Sequence, residues 1–404
     1  MAIYVADAET TRRGMPRGAI TSYHTPAGSL FDLDHWLKPE PRWLEHNATV
    51  VLPSWPTTRQ QLLADIRARG WDTQPTDGGW FSCRRKMPDR TTRTLHLCIL
   101  DWVGRDDPVL GVLKPLPGTN LDAANRAIAQ VLVAWEDTMG APYRHTPGVA
   151  AHDSIRMHHR AAQPQWAPYR SRTILEPEQA PAQAHIRPML WRRPDAVTDG
   201  CKVVKFDQRR AYLAAMKSVN LPVGPLTNTG LDPEGPGYLR VHPTHPGHPL
   251  WQLVNRPDAQ GTVWLGTTTA RFFAETGPQA AGWELVDSWT ARGQRLLRQW
   301  SARVQRLPAS IAKPTYTQAV GMLNTKTGTI QRPDWYDLVI DQANATMLRR
   351  VNAVWQQLAQ WPVLVHVDAL GYIADTEYRL GKLSDLVKVG YGCGEMRVED
   401  WSWR

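Results

Sequence analysis

The sequence is poor in cysteine and has no long apolar run. Its four cysteines are scattered through 404 residues and form no Cys-x-x-Cys pair: Cys83, Cys98, Cys201 and Cys393. This spacing argues against a disulfide framework or a zinc site and favours a reducing compartment. No apolar run approaches the roughly 20 residues of a membrane span, and the first residues lack a secretory pattern. We therefore expect a cytoplasmic protein with no membrane partner.

Phenylalanine is also scarce, with five residues against nineteen tryptophans, whereas proline is frequent, with thirty-two. The apolar fraction of 42% and the charged fraction of 21% are typical of globular chains, which argues against extensive disorder. The formal net charge is +9, and a basic chain favours a polyanionic partner such as a nucleic acid. The length is sufficient for two or three domains.

A stretch rich in proline, glutamine and arginine interrupts the regular patterns between residues 161 and 195. Such a composition is typical of an irregular connection. We therefore divide the chain into residues 1–160, a connection at 161–200, and residues 201–404. The apolar periodicity predicts mixed α/β structure, with helices at 60–69, 123–139, 211–219, 293–306, 315–323 and 335–358, and strands at 3–6, 80–83, 95–103, 202–206, 262–265 and 363–367.

Two aspartates stand directly after apolar strands in the C-terminal half. Asp207 follows the strand that ends at residue 206, and Asp368 follows the strand that ends at residue 367. An uncompensated charge at such a position is costly. A pair of divalent cations shared by both carboxylates is one compensation, as in two-metal phosphoryl transfer. In the alternative interpretation, each aspartate only caps a turn at the end of its strand.

The segment 206–212 reads Phe-Asp-Gln-Arg-Arg-Ala-Tyr. It resembles motif A of family B DNA polymerases, in which a Tyr follows an Asp by five residues. The resemblance implies that Asp207 is a metal ligand and a catalytic residue. It also implies that Tyr212 is a steric gate, whose ring excludes a 2′-hydroxyl and so selects deoxynucleotides. The Ser-Leu that normally precedes this Tyr is replaced here by Arg210-Ala211.

The sequence Lys-Pro-Thr-Tyr-Thr-Gln-Ala-Val-Gly, from Lys313 to Gly321, is similar in register to motif B of the same family. The match implies that Lys313 meets the incoming triphosphate, and it places Thr317 and Gly321 in the substrate-binding motif. Val320 stands where a Tyr is expected, and Pro314 biases Lys313 away from helical geometry. The alternative for Lys313 is a solvated lysine at the start of a helix.

The segment 366–369 reads His-Val-Asp-Ala and resembles motif C, the Asp-Thr-Asp-Ser hairpin of this family. In this register Asp368 is the essential metal-binding Asp, and His366 takes the place of the less critical first Asp. A register shifted by two residues leaves Leu370 in the essential position. We prefer the first register because residues 370–373 then continue as the outgoing strand.

The order of the three motifs, together with segments 221–224, 262–265 and 388–395, resembles the protein-primed subgroup of these polymerases. The resemblance implies an α/β (α+β) fold, with a palm and helical fingers behind an RNase H-like exonuclease-type domain. It implies Mg²⁺ or Mn²⁺ as cofactor, a DNA primer-template and dNTPs as partners, and a terminal protein or another replication protein, in replication of a mobile element or of DNA ends. Since Arg404 follows the last segment by nine residues, we expect no thumb.

The N-terminal half resembles the proofreading domain of the same family more weakly. Asp7-Ala8-Glu9 is similar to the first exonuclease motif, whose carboxylates hold metals for 3′→5′ hydrolysis. The second and third motifs would fall at 57–58 and 121–125, which lack the required residues in register. We therefore expect a degenerate exonuclease domain without proofreading. A nuclease site at Asp7 and Glu9 is a further alternative.

Basic residues predict a path for nucleic acid, with the arginines on the predicted helix at 293–306 and two further candidates after motif C. The DNA-binding candidates are Arg295, Arg298, Arg303, Arg306, Lys388 and Tyr391. A solvated helix face is the alternative for the arginines. His242, His245 and His248 have a spacing that metal sites use, but the intervening prolines and glycine predict a loop.

Two functions from different classes are compatible with these residues. One is a metal-dependent, template-directed DNA polymerase of low processivity. The other is a catalytically inactive, polymerase-like DNA-binding replication factor. The acidic, tyrosine and lysine positions matched in the three motifs favour the enzyme. The substitutions His366, Val320 and Pro314 and the expected lack of a thumb favour the second function.

Overall fold

The computed structural model describes residues 47–162, 184–193 and 202–401, with gaps, and two short strands at 2–3 and 21–22. The gaps are residues 53–56, 76–77, 87, 89, 91, 105–106, 108, 112–120, 142, 144, 234, 255, 277–281 and 326–329. Asp7 and Glu9 of the exonuclease-like motif lie outside the described residues, as do Cys201 and most of the connection at 161–200.

The described residues combine helices and strands, so the prediction of a mixed fold is confirmed at this level. The strands are β1 Ala2–Ile3, β2 Thr21–Ser22, β3 Asn47–Leu52, β4 Asp72–Pro75, β5 Trp80–Lys86, β6 Thr92–Ile99, β7 Leu190–Arg192, β8 Val203–Gln208, β9 Leu221–Pro222, β10 Thr227–Asn228, β11 Gly237–Pro243, β12 Val263–Gly266, β13 Trp283–Thr290, β14 Gly293–Gln294, β15 Leu364–His366, β16 Ala369–Ile373 and β17 Met396–Trp401. The α-helices are α1 Arg59–Ala68, α2 Leu121–Met139, α3 Pro147–Ala162, α4 Ala211–Ser218, α5 Thr267–Glu275, α6 Arg298–Val304, α7 Ala309–Leu323, α8 Pro333–Leu358 and α9 Glu377–Val387. Among these helices, none combines the length and the apolar character that crossing a membrane requires.

The chain divides into two compact units, the first comprising Met1–Trp166 with Arg306–Ala319, and the second comprising Ala167–Gln305 with Val320–Arg404. In the first unit, β3, β6, β5 and β4 form a four-stranded sheet in that order. β3 runs parallel to β6, and the other neighbours are antiparallel. The aromatic side chains of this sheet and its helices fill the core of the unit, since Trp80, Phe81 and Trp135 are all fully buried.

In the second unit, β17, β8, β16, β15 and β7 form a five-stranded antiparallel sheet in that order. A second antiparallel sheet has the order β10, β13, β11 and β12. The long helix α8 begins with Pro333, a residue suited to the first helical position. It packs against α4, α5 and α9, and its Met347 shares one apolar core with Phe206 of β8 and Tyr372 of β16.

The helix predicted at 293–306 is wrong over its first turns. Residues 293 and 294 pair with Leu221–Pro222 as β14 and β9, and the helix α6 that follows comprises only seven residues. The apolar spacing of Leu296, Leu297 and Trp300 suggested one continuous helix, but it cannot reveal a strand pairing with a segment about 70 residues away.

Two further expectations about regular structure need correction. Part of the connection at 161–200 is regular, because Leu190–Arg192 forms the edge strand β7 of the five-stranded sheet. Pro314 does not divert Lys313 from helical geometry, since both residues lie inside α7. Pro314 has no N–H and cannot donate a hydrogen bond to the carbonyl of Ser310, one turn earlier. Because Ser310 is exposed, water can satisfy this carbonyl.

A buried carboxylate of α8 caps the start of α5. Asp341 Oδ2 accepts hydrogen bonds from the backbone nitrogens of Thr268 (2.9 Å) and Thr269 (3.3 Å). These nitrogens have no partner within their own helix, and the positive end of the helix dipole stabilises the carboxylate. The approach depends on Gly266, because a Cβ at this residue would lie 2.2 Å from Asp341 Cγ.

We predict that Gly266→Ala lowers the free energy of unfolding by about 1–3 kcal/mol, the usual cost of inserting a methyl group where no space exists. Chemical denaturation measures this change. Gly381→Ala is the matched control, because a Cβ at Gly381 in α9 meets nothing within 4 Å. This control should stabilise the protein by up to about 1 kcal/mol. Equal effects of the two substitutions would contradict the packing of Asp341 against Gly266.

Candidate functional site

The two aspartates of motifs A and C lie side by side at one end of the five-stranded sheet. Asp207 is inside β8, not after it as the sequence predicted, and its cross-strand neighbour is Ala369 of β16. Asp368 directly precedes Ala369, and its carbonyl accepts a hydrogen bond of 2.7 Å from the nitrogen of Gln208. The structure therefore brings together two carboxylates that are 161 positions apart in the chain.

A two-residue turn between β15 and β16 holds Asp368 in this place. Val367 and Asp368 form the turn, since His366 pairs with Ala369. Val367 has a φ of 53°, a left-handed conformation that is strained for a β-branched residue. Its nitrogen donates to the carbonyl of Met189 at 2.8 Å, and this bond helps to hold the strained turn.

The two carboxylates interact electrostatically. Burial and the charge of Asp207 raise the pKa of Asp368, while His366 and Lys205 oppose the shift. Asp207 is also shielded from solvent, with a side chain that is 20% exposed. Two neighbouring carboxylates in a partly buried place favour a cation between or beside them.

The carboxylate pair fits a magnesium site of the kind that proteins share with a phosphate substrate. Mg²⁺ prefers hard oxygen ligands, and it is commonly bound by one or two carboxylates together with substrate phosphates and water. The described residues contain no cluster of three or more His, Cys, Asp or Glu side chains that could hold a metal. The loop predicted for the three histidines is wrong for His242, which lies in β11. His248 caps a short 3-10 helix, Pro249–Leu253, where its ring accepts a hydrogen bond from the nitrogen of Leu250.

Arg397 is a member of the site that sequence reasoning missed. Its Nε and Nη2 both lie 2.9 Å from Oδ2 of Asp207, because β17 places Arg397 opposite Asp207 in the β8–β17 ladder. The alternation of apolar and charged residues in the segment 396–401 indicates a strand with Arg397 and Glu399 on one face. It does not indicate which strand pairs with this segment.

Tyr212 is the second residue of α4, directly after the sharp bend that follows β8, and it lies near enough to Asp368 to interact with its charge. The bend is made by Arg210, which has a φ of 54° and precedes the first residue of α4. The Tyr212 ring is half-buried and packs in one apolar cluster with Tyr336 of α8. Burial, with Tyr336 and Asp368 nearby, raises the pKa of Tyr212 to about 12, so the hydroxyl stays protonated at neutral pH.

The sequence also provided no indication of a buried polar network around Asp337, the residue that follows Tyr336 on α8. Asp337 accepts a hydrogen bond from the hydroxyl of Tyr238 (2.9 Å) and lies 2.9 Å from Nδ1 of His185. The His185 ring is stacked on Tyr336, with 6.5 Å between ring centroids. Burial raises the pKa of Asp337 to about 6, although His185 and Tyr238 oppose the shift. In the sequence, Asp337 is one of several acidic residues on an amphipathic helix, so no local signal distinguishes it.

The residues of motif B are divided between the two units. Lys313, which is exposed, and Thr317, whose hydroxyl donates to the Lys313 carbonyl at 2.8 Å, belong to the first unit. Gly321 belongs to the second unit, and a Cβ there would meet nothing within 4 Å. The first unit holds this segment through α3, since Gly148 donates its N–H to the Gln318 side chain at 3.0 Å and His152 Nε2 lies 2.9 Å from the Ala319 carbonyl.

The basic candidates do not form one helix face. Arg298 and Arg303 lie on α6, while Arg295 and Arg306 lie outside it, because the predicted helix is shorter than expected. The segment 388–395 packs on the residues after β8. Arg209 Nε donates to the Gly390 carbonyl at 2.9 Å, and the Arg209 guanidinium covers the ring of Tyr391, which is 94% exposed. Lys388, at the start of this segment, is exposed.

No protein-family profile and no curated protein matches this sequence. Solved structures do match. Phi29 DNA polymerase complexed with primer-template DNA and incoming nucleotide substrates aligns with a TM-score of 0.51 and 8% identity, over 90% of this chain and 78% of that chain. Phi29 DNA polymerase complexed with single-stranded DNA aligns with a TM-score of 0.48 and 10% identity, over 90% and 77%. At such identity the likeness concerns the fold alone, which is similar to that of a family B polymerase.

We predict that Asp337→Asn changes how stability depends on pH. An unfolded Asp ionises near pH 3.8, whereas native Asp337 keeps its proton up to about pH 6. The native state therefore binds more protons between these values, and the stability of the wild type falls as pH rises through this window. Relative to Asp337→Asn, which cannot ionise, the wild type should lose up to about 3 kcal/mol between pH 4 and pH 7.

Denaturant unfolding at several pH values measures this difference. Asp232→Asn is the matched control, because Asp232 is exposed and its replacement should give a difference that stays flat with pH. A flat difference for Asp337→Asn as well would show that folding does not raise the pKa of Asp337.

Proposed function

We propose that this protein is a template-directed DNA polymerase that adds dNTPs to a DNA primer by two-metal nucleotidyl transfer. The observation that carries the proposal is the adjacency of Asp207 and Asp368, with Tyr212 near enough to Asp368 to interact with its charge. Family B motifs A and C imply the same three residues. The fold likeness to phi29 DNA polymerase supports the architecture that the proposal requires.

Each candidate residue would have a separate role in such a reaction. Bound Mg²⁺ or Mn²⁺ would polarise the attacking 3′-hydroxyl and neutralise charge on the triphosphate. Asp207 and Asp368 would hold the metal pair, and neither needs to accept a proton. The Tyr212 ring, which packs against a buried apolar cluster, would occupy the space of a 2′-hydroxyl. Lys313 would meet the triphosphate, with Thr317 and Gly321 in the same motif.

The proposed DNA contacts are electrostatic and independent of sequence. Arginines and lysines that reach the surface neutralise phosphates and give affinity that falls with salt, and an exposed tyrosine is suited to stacking on a base. The residues proposed for these contacts are Arg295, Arg298, Arg303, Arg306, Lys388 and Tyr391. A terminal protein or another replication protein is the further partner in this proposal, which places the protein in replication of a mobile element or of DNA ends, without proofreading.

Two observations favour a second candidate, a polymerase-like DNA-binding replication factor that has no catalytic activity. The carboxylate of Asp207 is engaged by Arg397 at 2.9 Å, and His366 replaces the other acidic residue of motif C. Such a site could be neutralised by protein side chains alone. The two candidates make opposite predictions for primer extension.

We predict that Asp207→Ala and Asp368→Ala each reduce primer extension by about 10³-fold or more, because metal ligation supplies several kcal/mol of transition-state stabilisation. The assay uses a labelled primer-template, dNTPs and Mg²⁺ or Mn²⁺, and DNA binding is measured in parallel. Asp232→Ala is the matched control and should extend primers like the wild type. A wild type that binds DNA as well as both variants and extends nothing would favour the second candidate.

We predict that Tyr212→Val admits ribonucleotides, because valine leaves open the space that the ring fills. The ratio of dNTP to rNTP incorporation should fall by about 10-fold or more, since the lost discrimination is a steric cost of at least 1–3 kcal/mol. Tyr212→Phe keeps the ring and should keep the wild-type ratio. Unchanged sugar selectivity in Tyr212→Val would show that the ring is not the gate.

A further inference from the structure

A ladder of alternating charges runs along the edge of the five-stranded sheet, beside the carboxylate pair. The register of β17 on β8 places Arg397 opposite Asp207 and Glu399 opposite Lys205. Lys205 Nζ lies 3.0 Å from Glu399 Oε2, and Arg397 Nη2 also contacts Oε1 of Glu399. The Arg397 guanidinium is therefore shared between two carboxylates, those of Asp207 and Glu399.

The two bonds from Arg397 to Asp207 end on the same oxygen, Oδ2. A divalent cation held by Asp207 and Asp368 would need oxygens of these carboxylates and would be repelled by a guanidinium at this distance. Arg397 has room to leave, because its side chain is 48% exposed. Glu399, already in contact, offers it a second anionic partner.

We propose that Arg397 is a resident counter-ion of the site: it occupies Asp207 when no divalent cation is bound, moves onto Glu399 when one binds, and thereby sets the metal affinity. This inference rests on the proposed role of Asp207 as a metal ligand. Arg397 is a positioning residue in this scheme, since it acts on the metal through Asp207. Glu399 is the partner that the Arg397 guanidinium keeps after it leaves Asp207.

Two substitutions should shift the metal affinity in opposite directions. Arg397→Gln removes the competing cation, so Mn²⁺ should bind about fivefold tighter or more, the effect of one partly solvated charge pair. Glu399→Gln removes the alternative partner and leaves the guanidinium on Asp207, so Mn²⁺ should bind about two- to threefold more weakly. Arg397→Lys keeps the charge but loses the forked geometry, and its affinity should fall between those of the wild type and Arg397→Gln.

The experiment measures Mn²⁺ binding to the full chain, without DNA or nucleotide, by the electron paramagnetic resonance signal of free Mn²⁺. Thermal unfolding of the same samples, with and without Mn²⁺, verifies that each variant is folded and gives a second measure of binding. Asp207→Asn provides the baseline for a damaged site. Arg271→Gln is the control for net charge, because Arg271 is an exposed arginine on α5 whose loss should leave the affinity unchanged.

The outcomes separate this inference from the proposed function. Tighter binding in Arg397→Gln with weaker binding in Glu399→Gln supports the inference. If the wild type binds Mn²⁺ more tightly than Asp207→Asn, and Arg397→Gln equals the wild type or binds more weakly, the counter-ion role is wrong while the metal site stands. If neither the wild type nor any other variant binds Mn²⁺ more tightly than Asp207→Asn, both the inference and the proposed metal role of Asp207 fail.

Discussion

The antiparallel pairing of β8 with strands on both of its sides is the constraint on which the candidate site depends. On one side, the pairing with β16 sets Asp207 against Ala369 and so beside Asp368; on the other, the pairing with β17 sets Asp207 against Arg397. Side chains alternate between the faces of a strand, so a slip of one residue would turn Asp207 to the opposite face. The buried side chains of Val204 and Phe206 oppose such a slip, because it would expose them.

The long helix α8 is held in the second unit by polar side chains that are buried at intervals of three and four residues along one face. Each of them has a partner from another part of the second unit or from the helix start. Asp334 pairs with Arg332, Asp337 with Tyr238 and His185, Asp341 with the first nitrogens of α5, and the Asn344 side chain donates to the Arg187 carbonyl. Since a buried polar group is costly without its partner, these contacts specify one packing of the helix. They also hold the part of α8 that carries Tyr336, which packs against the same apolar cluster as Tyr212.

Charge balance in the carboxylate pair connects the two candidate functions. Asp207 and Asp368 repel one another in a partly buried place, and either divalent cations or Arg397 can relieve that repulsion. The same geometry therefore suits an enzyme that exchanges Arg397 for metal and a binding protein that retains Arg397 permanently. The difference between these functions is a free-energy difference at one carboxylate, not a difference of fold.

The sequence by itself determined which residues are candidates, through the order of three short motifs. It also predicted mixed α/β structure with most of the observed helices, including α2 and α8, because the periodicity of apolar residues is a local property of the chain. Tertiary structure alone decided what surrounds those candidates. Arg397, Asp337 and Gly266 owe their places to strand register and helix packing, which join residues tens to hundreds of positions apart. For the same reason the predicted helix at 293–306 became β14 and α6. A local pattern records which face of an element is apolar, but not which neighbour covers it.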